Sequence, residues 1–207
     1  MFVKAIDVRG ESDRMTERGE QGRVEAWERL STRTVAEYEM FEVREDRSRS
    51  PEDGSEQTFH MADSRGGVVI LATTEDGRLV MVEQFRHGRR AITLELPSGE
   101  TEEGEEPAAS GARELREETG FTGDDPEILG RIDLNPSWQH TLVHVARIRN
   151  ARRTGDKDLD DTEDTCVRLV TVGDLRRRIL AGEVETGTTI AALAFLDWTE
   201  GGGSTAD

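Results

Sequence analysis

The sequence predicts an α+β protein, an α/β/α sandwich with a mixed sheet and flanking helices, preceded by a small antiparallel β segment. Three observations carry this. Strand-like runs lie on both sides of one sharply bounded central helix. Two further helical stretches close the chain. Residues 22–62 carry strand signals but no helix of their own.

Residues 1–21 are polar, contain Gly and lack any period, so they read as a mobile leader, with Met15 a second candidate start. The run TVAEYEMFEVRE has the β-branched and aromatic content of a strand. DRSRSPEDGSEQ then reads as a turn and TFHMA as a short returning strand. Residues 63–200 form the main domain. It opens with GGVVILATTEDGRLVMVEQFR, where two apolar runs flank Asp76-Gly77 as in a hairpin. In AITLELP, Ile92, Leu94 and Leu96 alternate as on a half-buried strand. Pro107 suits a first helical turn and Gly120 the position just past a helix end, which bounds a helix at about 106–119. EILGRIDLN, TLVHVARIR and CVRLVTV read as three more strands. NARRTGDKDLDDTED is a charged loop long enough to ask for a functional explanation. GDLRRRILAG and TTIAALAFLDW have helical spacing, and residues 201–207 read as a disordered tail.

The chain has 207 residues, enough for one domain with a sizeable core, and a net charge of −17. A field of that sign repels nucleic acid and anionic membrane, so neither is expected as a partner. The single Cys166 excludes an internal disulfide. It heads an apolar run, which predicts a buried, inert thiol. No apolar run approaches a membrane span. The start MFVKAIDVRG has too short an apolar core for a signal peptide, so a cytoplasmic location is expected.

The stretch GETEEGEEPAASGARELREETGF, Gly99 to Phe121, holds eight carboxylates in 23 residues. On a helical projection Ala108, Gly111, Ala112 and Leu115 form one narrow face of small residues, suited to close packing on a sheet. Glu114, Glu117 and Glu118 form a second face, and Arg113 sits one turn before Glu117, the offset for an ion pair. Three convergent carboxylates repel one another unless a cation lies among them. A hard divalent cation such as Mg²⁺ takes oxygen ligands of this kind and reverses the local field, so that a phosphate can enter. A solvated acidic helix is the alternative reading.

Gly99, Glu105, Arg113, Glu114, Leu115, Glu117, Glu118, Gly120 and Phe121 fall at the nine specified positions of a known signature. With that spacing the chain resembles the Nudix hydrolase superfamily. VMVEQFRHG, LELPSGE and TTIAALAFL are similar to its ADP-ribose pyrophosphatase branch, over roughly residues 22–200. The resemblance implies a Nudix sandwich that hydrolyses a nucleoside diphosphate linked to another group, with Mg²⁺ or Mn²⁺ bound. It makes Glu114 and Glu118 the main metal ligands, Glu117 a further ligand or close support, and the carbonyl of Ser98 a backbone ligand. Glu117 and Glu118 also count as catalytic. Arg113 would orient a carboxylate, Glu105 would stand behind it, and Gly99 and Gly120 would be structural.

Related ADP-ribose hydrolases draw a base from a loop past the signature. In DLDDTEDTC that gives Asp161, Glu163 and Asp164, with Glu163 preferred for its reach and Asp161 second. Arg86 and Glu95 are expected at the substrate, and Trp27 or Tyr38 to stack a base, unless these aromatics serve a core or dimer interface. Pro136 lies sixteen residues beyond Gly120, as in ADP-ribose-type members. It fixes its own φ and biases Asn135 toward an extended conformation. Trp138 departs from the pattern. The four histidines show no metal spacing, so no zinc site is expected.

The substrate class implied is ADP-ribose or a similar nucleotide sugar, giving AMP and a sugar phosphate. Other nucleotides or GDP-sugars, and a module that senses a nucleotide without cleaving it, remain alternatives. A homodimer is expected. Val35, Tyr38, Met40, Phe41 and Val43 have no helix to cover them, so small a sheet is marginal alone, and the related pyrophosphatases swap such a segment onto a partner.

Overall fold

The computed structural model describes residues 23–159 and 164–200. Strands β1 (Glu28–Glu37), β2 (Phe41–Arg49) and β3 (Glu56–Ser64) form an antiparallel sheet. A two-residue strand, β10 (Gln139–His140), joins β3 in parallel. The reading of TVAEYEMFEVRE as one strand is corrected here. The chain reverses at residues 38–40, where the Tyr38 N–H donates to the Phe41 carbonyl at 2.9 Å. A run of strand-forming residues carries no local sign that it folds back on itself, and the break falls between two stretches of equal propensity.

At the centre lies β4 (Gly67–Ala72), buried at every residue. It runs parallel to β11 (Leu142–Ile148), with Val69 opposite Val145, and antiparallel to β7 (Ser98–Glu100). Strand β9 (Glu127–Asp133) completes that sheet on the far side of β11. A second sheet orders β13 (Thr165–Thr171), β5 (Arg78–Arg86) and β6 (Ala91–Glu95). The short strands β8 (Phe121–Thr122) and β12 (Arg152–Arg153) pair beside them.

Continuous burial of β4 follows from helices on both of its faces. One face, with Val68 and Ile70, packs with Leu115 of α1 (Pro107–Thr119) and with Phe121. The other, with Val69 and Leu71, joins Leu175 of α2 (Val172–Leu180) and Leu193 and Leu196 of α3 (Gly187–Glu200). This is the expected α/β/α sandwich behind an N-terminal β segment.

Four further expectations are corrected. Asp76-Gly77 does make a turn, with Gly77 at φ 79°. Yet β4 and β5 share only the Thr73–Leu79 bridge before diverging into different sheets, so they form no hairpin. On β6 the alternation holds only in part. Leu94 packs on the core and Leu96 is buried in it, as expected, but Ile92 is 72% exposed and the alternate residues Thr93 and Glu95 are buried as well. On α1, Ala112 is exposed and the buried positions are Ser110, Gly111, Leu115, Glu118 and Thr119. A Cβ on Gly111 would meet the Ala146 Cβ at 3.1 Å, so the helix does lie close to the sheet. Cys166 is exposed on β13, against Arg168. The leader and tail readings fall on residues outside those described.

Candidate active site

A cleft of about 1160 Å³ runs between the two sheets and the acidic side of α1. Arg86, Glu95, Ser98, Glu114, Glu117 and Glu118 all line it. The β7 strand brings Ser98 and Gly99 against the helix. A Cβ on Gly99 would run into the Glu114 carboxyl group, so only glycine leaves that side chain its place. Glu118 is 2% exposed, and its Oε2 accepts from the Ser98 N–H at 3.1 Å.

Arg113 organises the carboxylates. Its Nη1 donates to Glu114 at 2.9 Å and to Glu117 at 3.0 Å. Its Nε and Nη2 grip Glu105 at 3.1 and 2.9 Å, and Nη2 reaches the Glu100 carbonyl at 3.0 Å. The hydrogen bonds from Arg113 hold the Glu105 carboxyl below its usual range. In return Glu105, ahead of Glu117 and Glu114, raises the guanidinium. Thus Arg113 ties the helix to the loop before it.

On the facing sheet the buried polar residues of β6 find their reason. Glu95, 3% exposed, accepts from Arg86 Nε at 2.7 Å and from the Thr93 hydroxyl at 3.1 Å. A buried carboxylate therefore fixes the base of an arginine whose head, 45% exposed, borders the cleft. Arg89 makes an ion pair with Glu185 at the cleft rim.

The charged loop closes over the end of α1. The N–H groups of Thr154 and Gly155 donate to the Gly120 carbonyl at 2.9 and 3.2 Å, and the Asp158 N–H to the Glu117 carbonyl at 2.9 Å. Gly120 sits at φ 73°, and a side chain there would strike the Gly155 carbonyl. This loop carries Asp158 into the cleft. Sequence reasoning passed over Asp158 in favour of its neighbours, although the same acidic run contained it. Thr93 was missed because a strand Thr gives no sign of function by itself. Glu163 and Asp161 lie outside the described residues, and Asp164 is exposed and away from the cleft lining.

Two other expected residues stand apart from the cleft in a single chain. Trp27 meets Phe59 edge-on at 5.4 Å within the N-terminal sheet. Pro136 is exposed in the loop after β9, where Leu134 and Gln139 reach the cleft and Pro136 itself does not. Tyr38 packs on Phe41 at 5.1 Å. Met40, Phe41 and Trp138 border a smaller cavity of about 320 Å³, which shares Met40, Ser64, Glu100 and Gln139 with the cleft.

Among the described residues, no three His, Cys, Asp or Glu side chains stand ready to grip an ion as they are. Arg113 bridges Glu114 and Glu117 instead. The donor set nonetheless suits a hard cation, with three carboxylates and the backbone at Ser98 on one wall, and Gly99 gives the Glu114 carboxyl room against that backbone. Among the described residues, no helix is long and apolar enough to cross a membrane.

A sandwich that presents an acidic helix face to a cleft between two sheets defines a class of hydrolase. The NUDIX domain model matches residues 63–193. An ADP-ribose pyrophosphatase of Bacillus subtilis is 33% identical over 136 residues, covering 65% of this chain and 74% of that protein. One from Mycobacterium tuberculosis is 32% identical over 169 residues, covering 81% of each. The solved structure of an ADP compounds hydrolase superposes with a TM-score of 0.77 at 18% identity, over 88% of this chain and 99% of that one, a likeness of fold. The chain belongs to the Nudix family and is a Nudix hydrolase. Members of this family generally use divalent metal ions.

Proposed function

We propose that the protein hydrolyses the diphosphate linkage of ADP-ribose or a similar nucleotide sugar, giving AMP and a sugar phosphate. The observation that carries this reading is the cleft itself. An acidic helix face and an arginine fixed by a buried carboxylate line the same space, a pairing suited to a metal-bound diphosphate. The names of the Bacillus and Mycobacterium relatives support the substrate class.

In this reading Glu114, Glu117, Glu118 and the Ser98 carbonyl hold Mg²⁺ or Mn²⁺. The metal would supply charge neutralisation at the phosphates and a lowered pKa for attacking water. Arg113 keeps Glu117 and Glu114 in line, with Glu105 fixing Arg113 from behind. Arg86, oriented by Glu95, meets a phosphate oxygen. The water oxygen forms a bond to one phosphorus, and the bridging P–O bond breaks. Its electron pair leaves with the other phosphate, and a loop carboxylate accepts the water's proton. Glu163 is the proposed acceptor, with Asp161 the runner-up. Pro136 stiffens the loop near the cleft edge, lowering the entropy cost of ordering it around a sugar.

The protein is also proposed to act as a homodimer. Tyr38, Met40 and Phe41 are 59%, 66% and 41% exposed on the N-terminal sheet, an apolar surface suited to a second copy. Within one chain Trp27 packs on Phe59 away from the cleft, and a second copy is proposed to bring it to the substrate base.

A hydrolysis screen with Mg²⁺ over ADP-ribose, other nucleotide sugars, dinucleotides and nucleoside triphosphates tests the reading. ADP-ribose is expected to give the highest kcat/KM, with AMP and ribose 5-phosphate as products. A triphosphate preferred over every nucleotide sugar would overturn the substrate assignment.

A further inference from the structure

The charged loop that follows β12 leaves the acidic helix and comes back to it. At its outgoing end the Asp158 N–H donates to the Glu117 carbonyl at 2.9 Å. At its returning end the Thr165 hydroxyl donates to the Glu118 carbonyl at 2.9 Å. Both acceptors lie in the last turn of α1, whose carbonyls a helix leaves without partners of its own. They belong to the two glutamates whose side chains line the cleft. Thr165 is 3% exposed, so the returning anchor is shielded from water.

One side chain joins the two ends. The Lys157 ammonium donates to the Thr165 carbonyl, and to the Thr165 hydroxyl at 3.4 Å. Lysine is rare in this chain, occurring only as Lys4 and Lys157. An ammonium is a compact point charge able to serve two oxygens of one residue, whereas the planar guanidinium fork suits paired carboxylate oxygens. Residues 158–164, DLDDTED, set five carboxylates between the tied ends. Like charges at that density repel one another and push a loop open, and a cation at its neck opposes this. The same cation stands one hydroxyl away from the C-terminal end of α1, where the helix dipole favours positive charge.

We infer that Lys157 is a positioning residue for the hydrolysis: by fastening the two ends of the acidic loop together at Thr165, it fixes Asp158 and the carboxylates beyond it relative to the glutamate wall of α1. This rests on the reading in which a loop carboxylate accepts the proton of the attacking water. Asp158 lines the cleft and Lys157 does not, so Lys157 acts through the loop and not on the substrate. Without the tie the loop spreads over more arrangements, and its carboxylate is less often at the attacking water. That lowers kcat and spares KM.

Lys157→Met keeps the unbranched stem and removes the charge. With ADP-ribose and saturating Mg²⁺, kcat is expected to fall about tenfold while KM stays within about twofold. Lys157→Arg should recover part of the loss. Hydrogen exchange at the Asp158 amide, followed without substrate, should quicken at least about tenfold in Lys157→Met, while amides in the middle of α1 keep their protection. Combined with Glu163→Gln or with Asp161→Asn, whichever removes the base, Lys157→Met should cost less than it does alone, because the group it acts through is gone. Unchanged exchange at Asp158 overturns the inference, as does unchanged kcat or a rise in KM at constant kcat. Full additivity with both loop variants also overturns it. If neither loop variant slows the wild-type enzyme, the loop base itself is overturned, and the positioning role falls with it. If wild type does not cleave ADP-ribose, the proposed substrate fails, and the same comparisons are made on whichever nucleotide the enzyme does cleave.

Discussion

Glu118 is unusual for a carboxylate in being almost wholly buried, and the Ser98 N–H that it accepts is near the same wall as Glu114. Glu118→Gln keeps an oxygen for that N–H but removes the charge, so the helix should hold its shape. Turnover with Mg²⁺ is predicted to fall at least about 100-fold. Metal-free thermal stability should hold or rise, because repulsion among the glutamates is relieved. Wild-type turnover at saturating Mg²⁺ would remove Glu118 from the reaction. Gly99 makes the complementary point at the smallest scale. Gly99→Ala places a methyl group where the Glu114 carboxyl lies, and that side chain must leave. Activity should drop by at least about tenfold while the far-ultraviolet circular dichroism stays native. Undiminished activity would show that Glu114 need not occupy that spot.

The helix α1 and the strand β6 behave differently as elements. Glu105 and Arg113 join the loop to the helix through a partly buried ion pair in which the carboxyl is held below its usual range by the arginine's hydrogen bonds. The stability this supplies is full above about pH 4.3, where an unfolded Glu ionises, and is lost as pH falls through the lower folded value. Glu105→Gln should therefore lower the urea midpoint at neutral pH, and its deficit against wild type should shrink on acidification below about pH 4.3. A deficit of undiminished size in strong acid would mean that the charge contributes nothing. The helix was legible in the sequence because its signals are local. Pro107 and Gly120 mark its ends, and the one-faced glutamates follow from a period of 3.6. The β6 strand was legible only as a period. Alternation marks Ile92, Leu94 and Leu96 as one face, and Leu94 and Leu96 do meet the core, but it gives no sign that Thr93 and Glu95 are buried too, where Glu95 meets Arg86 on another strand. Asp158 was hidden for a related reason. A turn around the end of α1 brings it to the cleft, and no spacing along the chain encodes that turn.

For the molecule as a whole, the N-terminal sheet is the part least covered by the rest. Its β1 strand is exposed at most positions, and charged pairs such as Arg33–Glu45 at 2.7 Å run across it. A homodimeric mass by light scattering at micromolar concentration is predicted, and Met40→Glu should shift it toward the monomer with a loss of activity. A fully active monomer would count decisively against assembly through this sheet. The sandwich itself was readable from the order of apolar runs. Its division into two sheets was not, because β4 and β5 separate after one bridge for reasons of packing on both sides.

The parallel pairing of β4 with β11 also bears on how the chain is made. Val69 must wait for Val145, so the most apolar strand leaves the ribosome without the partner that buries it. At bacterial or eukaryotic synthesis rates that delay is roughly 4 to 15 seconds. During it β7 and α1 can already meet this aggregation-prone strand, but its β11 edge stays bare, and the charge of the glutamate-rich stretch that follows keeps nascent chains apart. Ribosome-bound chains that end before Leu142 should therefore remain open to protease, and neutralising Glu102, Glu103 and Glu106 should make them aggregate while leaving the completed protein's fold intact. Protease resistance before Leu142 emerges would refute this order of assembly.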